Sequence, residues 1–311
     1  MILITGATGF VGRAVARRLV AEQRKVRCLL RPSWREQRLP TGILFSNVSA
    51  SMDDLPALRT AMQGVTTVVH LAGEEDLDRI GTLHNHTKDT VNLVAAAREA
   101  DVRRLIYLDR LGADRASAYP LFRASGEAEA VVRESGLDTT ILQTAVIYGP
   151  EDVFINVLVM LAKVIPFALP VPDVGLVRFQ PLWIADLVTC IVATLDRDDL
   201  IGQTIPLGGP EHFTLEQMVA QVLAAAGMRR RLVHVQLPLM HGAVGLLETL
   251  LPRNPTPPWW LDLLTVSNAT GLGTIPRHFG FEPARFARGL DYLRHKRPWR
   301  RDLVRFVMHR Q

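Results

Sequence analysis

Apolar residues in this chain fall into short runs, separated by longer stretches in which they recur every three or four positions. The runs at 1–4, 25–30, 42–48, 67–71, 104–108 and 139–147 have the length and composition of buried strands. Between them, 13–20, 55–62, 87–100 and 124–135 carry the helical period. Strands alternating with helices predict an α/β fold, a doubly wound parallel sheet with helices on both faces. Further along, 204–207 reads as a strand, and 213–226 reads as a helix capped by Thr214, with Glu216 and Gln217 in its first turn. The apolar stretch 153–172 is broken by Lys163, Pro166 and Pro170, which predicts a buried or interfacial helix followed by an extended segment rather than a membrane span. Residues 252–258 read as a proline-rich joint.

The first strand runs directly into Gly6-Ala7-Thr8-Gly9-Phe10-Val11-Gly12, and a helix follows. Gly6 permits a tight strand-to-helix turn, Gly9 lets the backbone approach a pyrophosphate, and Gly12 lets helix and strand pack closely. The free N–H groups at the helix start attract phosphate. In that context the motif predicts dinucleotide binding. Thr8, Phe10 and Val11, with Leu71, Ala72 and Gly73 at the end of the fourth strand, are the other candidate cofactor contacts. The second strand ends Leu29-Leu30-Arg31-Pro32-Ser33, without the acid that would bond a ribose 2′-hydroxyl. Arg31 is therefore the predicted clamp for a 2′-phosphate, with Ser33 and Arg13 as helpers, and NADP(H) is expected over NAD(H).

The organisation that follows is a Rossmann domain over 1–150, to which 181–209 contribute, and a smaller C-terminal lobe from 151–180 and 210–293. A basic amphipathic tail, 294–311, completes it. The net charge of +5 is not spread evenly, because seven basic residues from Arg294 onward stand against Asp302 alone. The tail thus carries +6 and the body −1, which argues against a nucleic-acid-binding face and for an anionic partner at one end. As a helix, the tail would gather Trp299, Leu303, Phe306 and Val307 into one stripe, a pattern suited to an anionic membrane surface or a partner's groove. Cys28 and Cys190 have neither metal-ligand spacing nor a disulfide framework. With an opening that is strand and glycine loop rather than a leader, they predict a cytoplasmic location, peripheral on the cytoplasmic face of a membrane.

The chain resembles the extended or atypical short-chain dehydrogenase/reductases. The likeness rests on the glycine motif, on Val68-Val69-His70-Leu71-Ala72-Gly73 and on Thr144-Ala145-Val146-Ile147-Tyr148-Gly149-Pro150. Within that superfamily it is most similar to the NADPH-binding accessory subunits of respiratory complex I and their bacterial relatives. Arg178-Phe179-Gln180-Pro181-Leu182-Trp183-Ile184-Ala185-Asp186, Leu263-Leu264 with Asn268, Phe279-Gly280-Phe281 with Pro283, and Gly289-Leu290 with Tyr292-Leu293 carry that likeness. The resemblance implies a cofactor-bound subunit of a larger assembly, with protein subunits as partners.

The superfamily's hydride chemistry uses a tyrosine, a lysine four residues on, and an orienting serine or threonine. Here Tyr107, Tyr119 and Tyr148 precede Leu111, Arg123 and Asp152 at that spacing, and the Tyr292–Lys296 pair lies after the substrate region. An ungapped match puts Leu121 and Ser125 in the tyrosine and lysine positions; a two-residue slip gives Tyr119 and Arg123. Asp109 and Arg110 stand where the serine is usual, and Gln143-Thr144 replaces a common Arg-Pro. Arg is a poor substitute for Lys in lowering a phenol pKa. Loss of turnover is the first expectation; an NADP-dependent oxidoreductase, or epimerase/dehydratase, using Tyr119, Arg123 and Asp109 is the alternative. His84-Asn85-His86 is read as a solvated helix start, without the carboxylate or cysteine that would complete a metal site. Gly208-Gly209-Pro210 is read as a turn, and Trp259-Trp260 as either core or interface.

Overall fold

Ile2–Thr5 is buried at every position and forms β1, an inner strand of a seven-stranded sheet. The computed structural model describes residues 1–32, 39, 45–71, 80–165, 167–250 and 258–294, with backbone alone at 80–85, 250, 258 and 259. Ser33, Ala72, Gly73, the side chains of His84, Asn85 and Trp259, residues 252–257 and the tail from 295 lie outside that description.

From β1 the chain continues through α1 (Phe10–Ala21), β2 (Val26–Leu30), β3 (Phe45–Ser49), α2 (Leu55–Ala61) and β4 (Thr67–His70). It then builds α3 (Ile80–Glu99), β5 (Arg104–Arg110), α4 (Pro120–Arg133) and β6 (Asp138–Thr144). The sheet order is β3-β2-β1-β4-β5-β6, closed at its far edge by Thr204–Leu207, and every pairing is parallel. Strand order reverses between β1 and β4, and at such a switch the crevice beyond the carboxyl ends receives a ligand.

Alternate positions along the strands serve opposite faces. Leu3, Leu29, Val68, Leu105, Tyr107 and Ile141 pack with Leu58, Leu93, Ala97, Ala128 and Val132. The intervening Ile4, Cys28, Val69, Ile106 and Leu142 are buried as well, as parallel strands covered on both faces require. The helix Ile184–Thr194 packs on α1. Arg104, buried at the start of β5, fastens this late segment to the sheet: its Nη2 donates to Thr140 Oγ1 (2.9 Å), Thr194 O (3.2 Å) and Arg197 O (3.1 Å).

The chain divides into two units. The first comprises Met1–Thr144, Ile184–Leu207 and Arg277–Gly280; the second comprises Ala145–Trp183, Gly208–Pro276 and the residues from Phe281. In the second unit, the helices Phe154–Val164 and Leu215–Ala225 close over a core of Tyr148, Ile155, Val159, Met218, Val222, Phe286 and Leu290. Its strands are short pairs: Ile147–Tyr148 with Leu182–Trp183, and Arg178–Phe179 with Phe213–Thr214, while Ala168–Pro172 pairs with Arg231–Val235.

Several boundaries differ from the sequence pattern for identifiable reasons. The run 139–147 is two strands, because Val146 N donates to Asn268 Oδ1 (2.5 Å) and the chain leaves the sheet after Thr144. α4 begins at Pro120, whose missing N–H is harmless in a first turn. The 213–226 helix starts at Leu215, and Thr214 caps it in a reciprocal box with Gln217 (3.2 and 2.9 Å). Among the described residues, no helix is long and apolar enough to cross a membrane.

Candidate dinucleotide site

At the carboxyl end of β1 the backbone turns at Gly6 with φ +68°, a conformation that favours glycine. Gly6 O accepts from Gly9 N at 3.0 Å, and Gly9 becomes the cap residue of α1. A Cβ on Gly12 would lie 2.0 Å from Gly6 O and 2.6 Å from Ala7 Cα, so the helix reaches the turn only because no side chain is there. No side chain caps α1 and no acid occupies its first turn, where Phe10 and Val11 stand. The positive end of the helix dipole there favours an anion. Arg13 Nη1 donates to Thr8 O, bracing the turn from within. Leu71, just past β4, donates its N–H to Thr5 O at 3.4 Å.

Arg31 follows β2 with its side chain half exposed, and its Nη2 lies 3.3 Å from Oδ2 of Asp89 on α3. Burial pushes the Asp89 carboxyl above its ordinary range, and Arg31 opposes that rise.

Beneath these groups, polar side chains of β1, β4, α3 and β5 meet inside the fold. Thr5 Oγ1 and His70 Nδ1 are hydrogen-bonded at 2.5 Å, and His70 Nε2 lies 3.4 Å from Thr90 Oγ1. The His70 ring stacks at a tilt on Tyr107, with centroids 5.3 Å apart, and Tyr107 Oη is 3.1 Å from His86 Nε2. Burial, aided by the neighbouring His86 and Arg31, pushes His70 down to about 3. Burial, with Arg110 and Arg31 nearby, pushes His86 down to about 4. Both imidazoles are neutral at neutral pH and serve as hydrogen-bonding groups. For His86 the expectation of a solvated helix start is therefore corrected: Tyr107 draws it inward.

The residues at the catalytic positions form a second buried cluster. Asp109 Oδ1 accepts from Arg110 N at 2.9 Å, and buried Ser125, the residue in the ungapped lysine position, is close enough to favour the ionised carboxyl. Its Oδ2 is buried with no hydrogen-bond partner among the described residues. Burial, together with nearby Glu129, pushes Asp109 up to about 7 against the pull of Arg110. Glu129 accepts from Gln143 Nε2 and Arg133 Nη2, both at 2.6 Å, and Thr144 Oγ1 donates to Asp109 O at 3.1 Å. Gln143 thus holds the Glu129 carboxylate of α4 in place, and Thr144 ties the backbone of β5 at Asp109 to β6. Tyr119 is the cap residue of α4 and stacks edge-on against Phe122, while Arg123 is exposed and donates to Ser117 O at 3.3 Å. Of the three candidate catalytic residues, Asp109 is drawn to Ser125 and Arg123 to the loop before α4. Sequence reasoning missed Asp89 and Glu129 as partners, and the only signal for the latter was the unusual Gln143.

Residues 6–158, which contain this turn, match the NAD(P)H-binding family. They form an NAD(P)H-binding domain. The chain is 30% identical over 223 residues to the mitochondrial NADH dehydrogenase (ubiquinone) 1 alpha subcomplex subunit 9 of Arabidopsis thaliana, covering 69% of this chain and 55% of that one. It therefore spans only about half the length of that relative, and the match carries the resemblance to complex I accessory subunits. It is also 28% identical over 235 residues to a (4-alkanoyl-5-oxo-2,5-dihydrofuran-3-yl)methyl phosphate reductase of Streptomyces griseus, covering 73% of this chain and 74% of that one. The NADPH-dependent quinone oxidoreductase QOR2 of Escherichia coli, solved with NADPH, shares the fold with a TM-score of 0.74 at 20% identity, over 95% of this chain and all of that one. The NAD(P)H-binding domain thus has a Rossmann fold, and the turn at Gly6–Gly12 fits the pyrophosphate such a cofactor carries.

Proposed function

We propose that this chain binds NADP(H) in preference to NAD(H) and is catalytically degenerate, acting as a structural or redox-sensing subunit of a larger, membrane-associated assembly. The observation that carries this reading is the contrast within one domain: the phosphate turn is intact, while the catalytic positions are rebuilt into a buried network. The turn at Gly6, Gly9 and Gly12, with Thr8, Phe10 and Val11, holds the pyrophosphate, and Leu71, Ala72 and Gly73 are further cofactor contacts. Arg31, with Ser33, meets the 2′-phosphate. The bound nicotinamide supplies a hydride; what is missing is a phenol activated by lysine to exchange the accompanying proton. Ser125, a buried hydroxyl beside Asp109, stands in the lysine position. Arg123, the residue that the slipped match puts there, is a poor substitute for lysine in relaying a proton.

Likeness to a complex I subunit supports protein partners, and the basic segment 294–311 supports contact with an anionic membrane surface on the cytoplasmic side. Titration calorimetry should give tighter binding of NADPH than NADH, and bound NADPH should survive incubation with ketones, aldehydes and nucleotide sugars. Native mass measurement of material purified at low salt should show associated subunits, lost on truncation from Arg294. Equal affinities for the two cofactors, or a lone monomer under all conditions, would sink the reading.

A second reading rests on Asp109. A carboxyl pushed up to about 7, with Oδ2 lacking a described partner, can hold and release a proton at neutral pH, and a reductase is among the relatives. Turnover abolished by Asp109→Asn would establish an NADP-dependent oxidoreductase, or epimerase/dehydratase, with a displaced acid.

A further inference from the structure

The charge on Arg31 is already engaged before any cofactor arrives. Asp89 Oδ2 lies 3.3 Å from its Nη2, and the Asp89 side chain is only 14% exposed against 49% for Arg31. The helix that carries Asp89 is fixed in place: the next residue, Thr90, is fully buried and donates to His86 O at 3.0 Å, and Asn92 Nδ2 donates to Met52 O at 2.9 Å. The other charges beside Asp89 pair with each other, Lys88 Nζ lying 2.6 Å from Asp53 Oδ1. Asp89 is therefore an anchored anion whose strongest cationic influence is Arg31.

We infer that Asp89 is a specificity-determining residue which, acting through Arg31, limits how strongly the site favours a 2′-phosphate over a 2′-hydroxyl. The inference rests on the proposal that Arg31 meets that position of the ribose. An incoming phosphate brings two negative charges to a guanidinium already shared with a carboxylate, so part of its attraction is cancelled. A 2′-hydroxyl brings no charge and is insensitive to the same carboxylate. In an NAD-selective site the acid stands at the end of the second strand. Here the arginine stands there, and the acid comes from α3. The preference for NADP(H) should accordingly be smaller than an isolated arginine would give.

The test uses the full chain with adenosine 2′,5′-bisphosphate and 5′-AMP, which differ in the 2′-phosphate and leave the nicotinamide out. Calorimetry on the wild type, Asp89→Asn, Arg31→Ala and the double variant gives the ratio of the two dissociation constants in each. Asp89→Asn should raise the preference for the bisphosphate roughly threefold to thirtyfold while leaving AMP binding unchanged. Arg31→Ala should lower the preference, and on that background Asp89→Asn should alter it by less than about twofold, as expected for coupled neighbours. Asp89→Ser provides a second variant, and thermal melts confirm that each is folded. A ratio that moves with Arg31→Ala but not with Asp89→Asn overturns the inference alone. A rise of equal size in both backgrounds also overturns it, because Asp89 would then repel the phosphate directly. A ratio insensitive to Arg31→Ala overturns the arginine assignment and the inference together.

Discussion

The phenol of Tyr292 donates to the buried carboxyl of Asp152 at 3.1 Å, across 140 residues of sequence. The same carboxyl accepts from Ile155 N (2.6 Å), Gly149 N (3.2 Å) and Asn156 Nδ2 (3.3 Å). One side chain thus joins the Tyr148-Gly149-Pro150 turn, the start of the helix Phe154–Val164 and the Gly289-Leu290 segment. The last approach is close: a Cβ on Gly289 would lie 2.1 Å from Tyr148 Oη. Tyr292, although four residues before Lys296, has a structural partner of its own.

Tyr292→Phe should therefore lower the stability of the protein by about 1–2 kcal/mol, the usual result of leaving a buried acceptor short of one donor. Urea denaturation should register that loss, and NADPH affinity should not change, because the glycine turn lies in the other unit.

Stability should also depend on pH in a defined direction. Asp109 and Asp152 are both pushed up to about 7 by burial, whereas an unfolded chain ionises its aspartates near pH 3.9. Between those values the folded state binds more protons, so the contribution of these groups is full below about pH 4, falls as pH rises through about 7, and stays lost above. Asp109→Asn keeps an acceptor for Arg110 N and removes one titration. Relative to wild type, the variant should gain stability from pH 5 to pH 8, measured as the urea midpoint at each pH. A constant difference across that range would show that Asp109 titrates normally.

Gln180 makes a comparable prediction without charge. It is fully buried; its Nε2 donates to Gly209 O at 2.6 Å and its Oε1 accepts from Thr270 N at 2.7 Å. Gly208 presses on it, since a Cβ there would lie 2.3 Å from Gln180 Cδ. Gln180→Ala strands two backbone groups and should cost about 2–4 kcal/mol, read as a lower melting temperature.

Gly12→Ala should damage the cofactor site more than the fold. The added methyl meets the carbonyl of Gly6 and forces α1 away from the turn. NADPH binding should weaken at least roughly tenfold, since the turn and helix N-terminus are the phosphate site. Circular dichroism should retain its helical signal.

Much of this was legible in the sequence, and the exceptions share a cause. Strands covered on both faces leave continuous apolar runs, and the glycine turn obeys steric rules visible at Gly6 and Gly12. The helix Ile184–Thr194 was not legible, because it is apolar nearly all round and rich in β-branched residues, so neither period stands out. Asp89 with Arg31, His86 with Tyr107 and Glu129 with Gln143 were hidden for another reason. Each pair joins two different elements, and its existence follows from how those elements pack rather than from local pattern. Gly208 and Gly209 showed themselves as a turn; that Gln180 must fill the space beside Gly208 requires the packing.

The edge strand Thr204–Leu207 has a consequence for how the protein is made. It pairs with β6, which ends at Thr144, and the chain between them belongs largely to the other unit. As the polypeptide leaves the ribosome, β6 emerges as an open edge well before its partner strand exists. An unprotected parallel edge is an invitation to pair with another nascent chain. Translation must therefore run past Leu207 before the NAD(P)H-binding domain can close. A gene fragment cut at the end of β6 should yield aggregate rather than a small cofactor-binding protein.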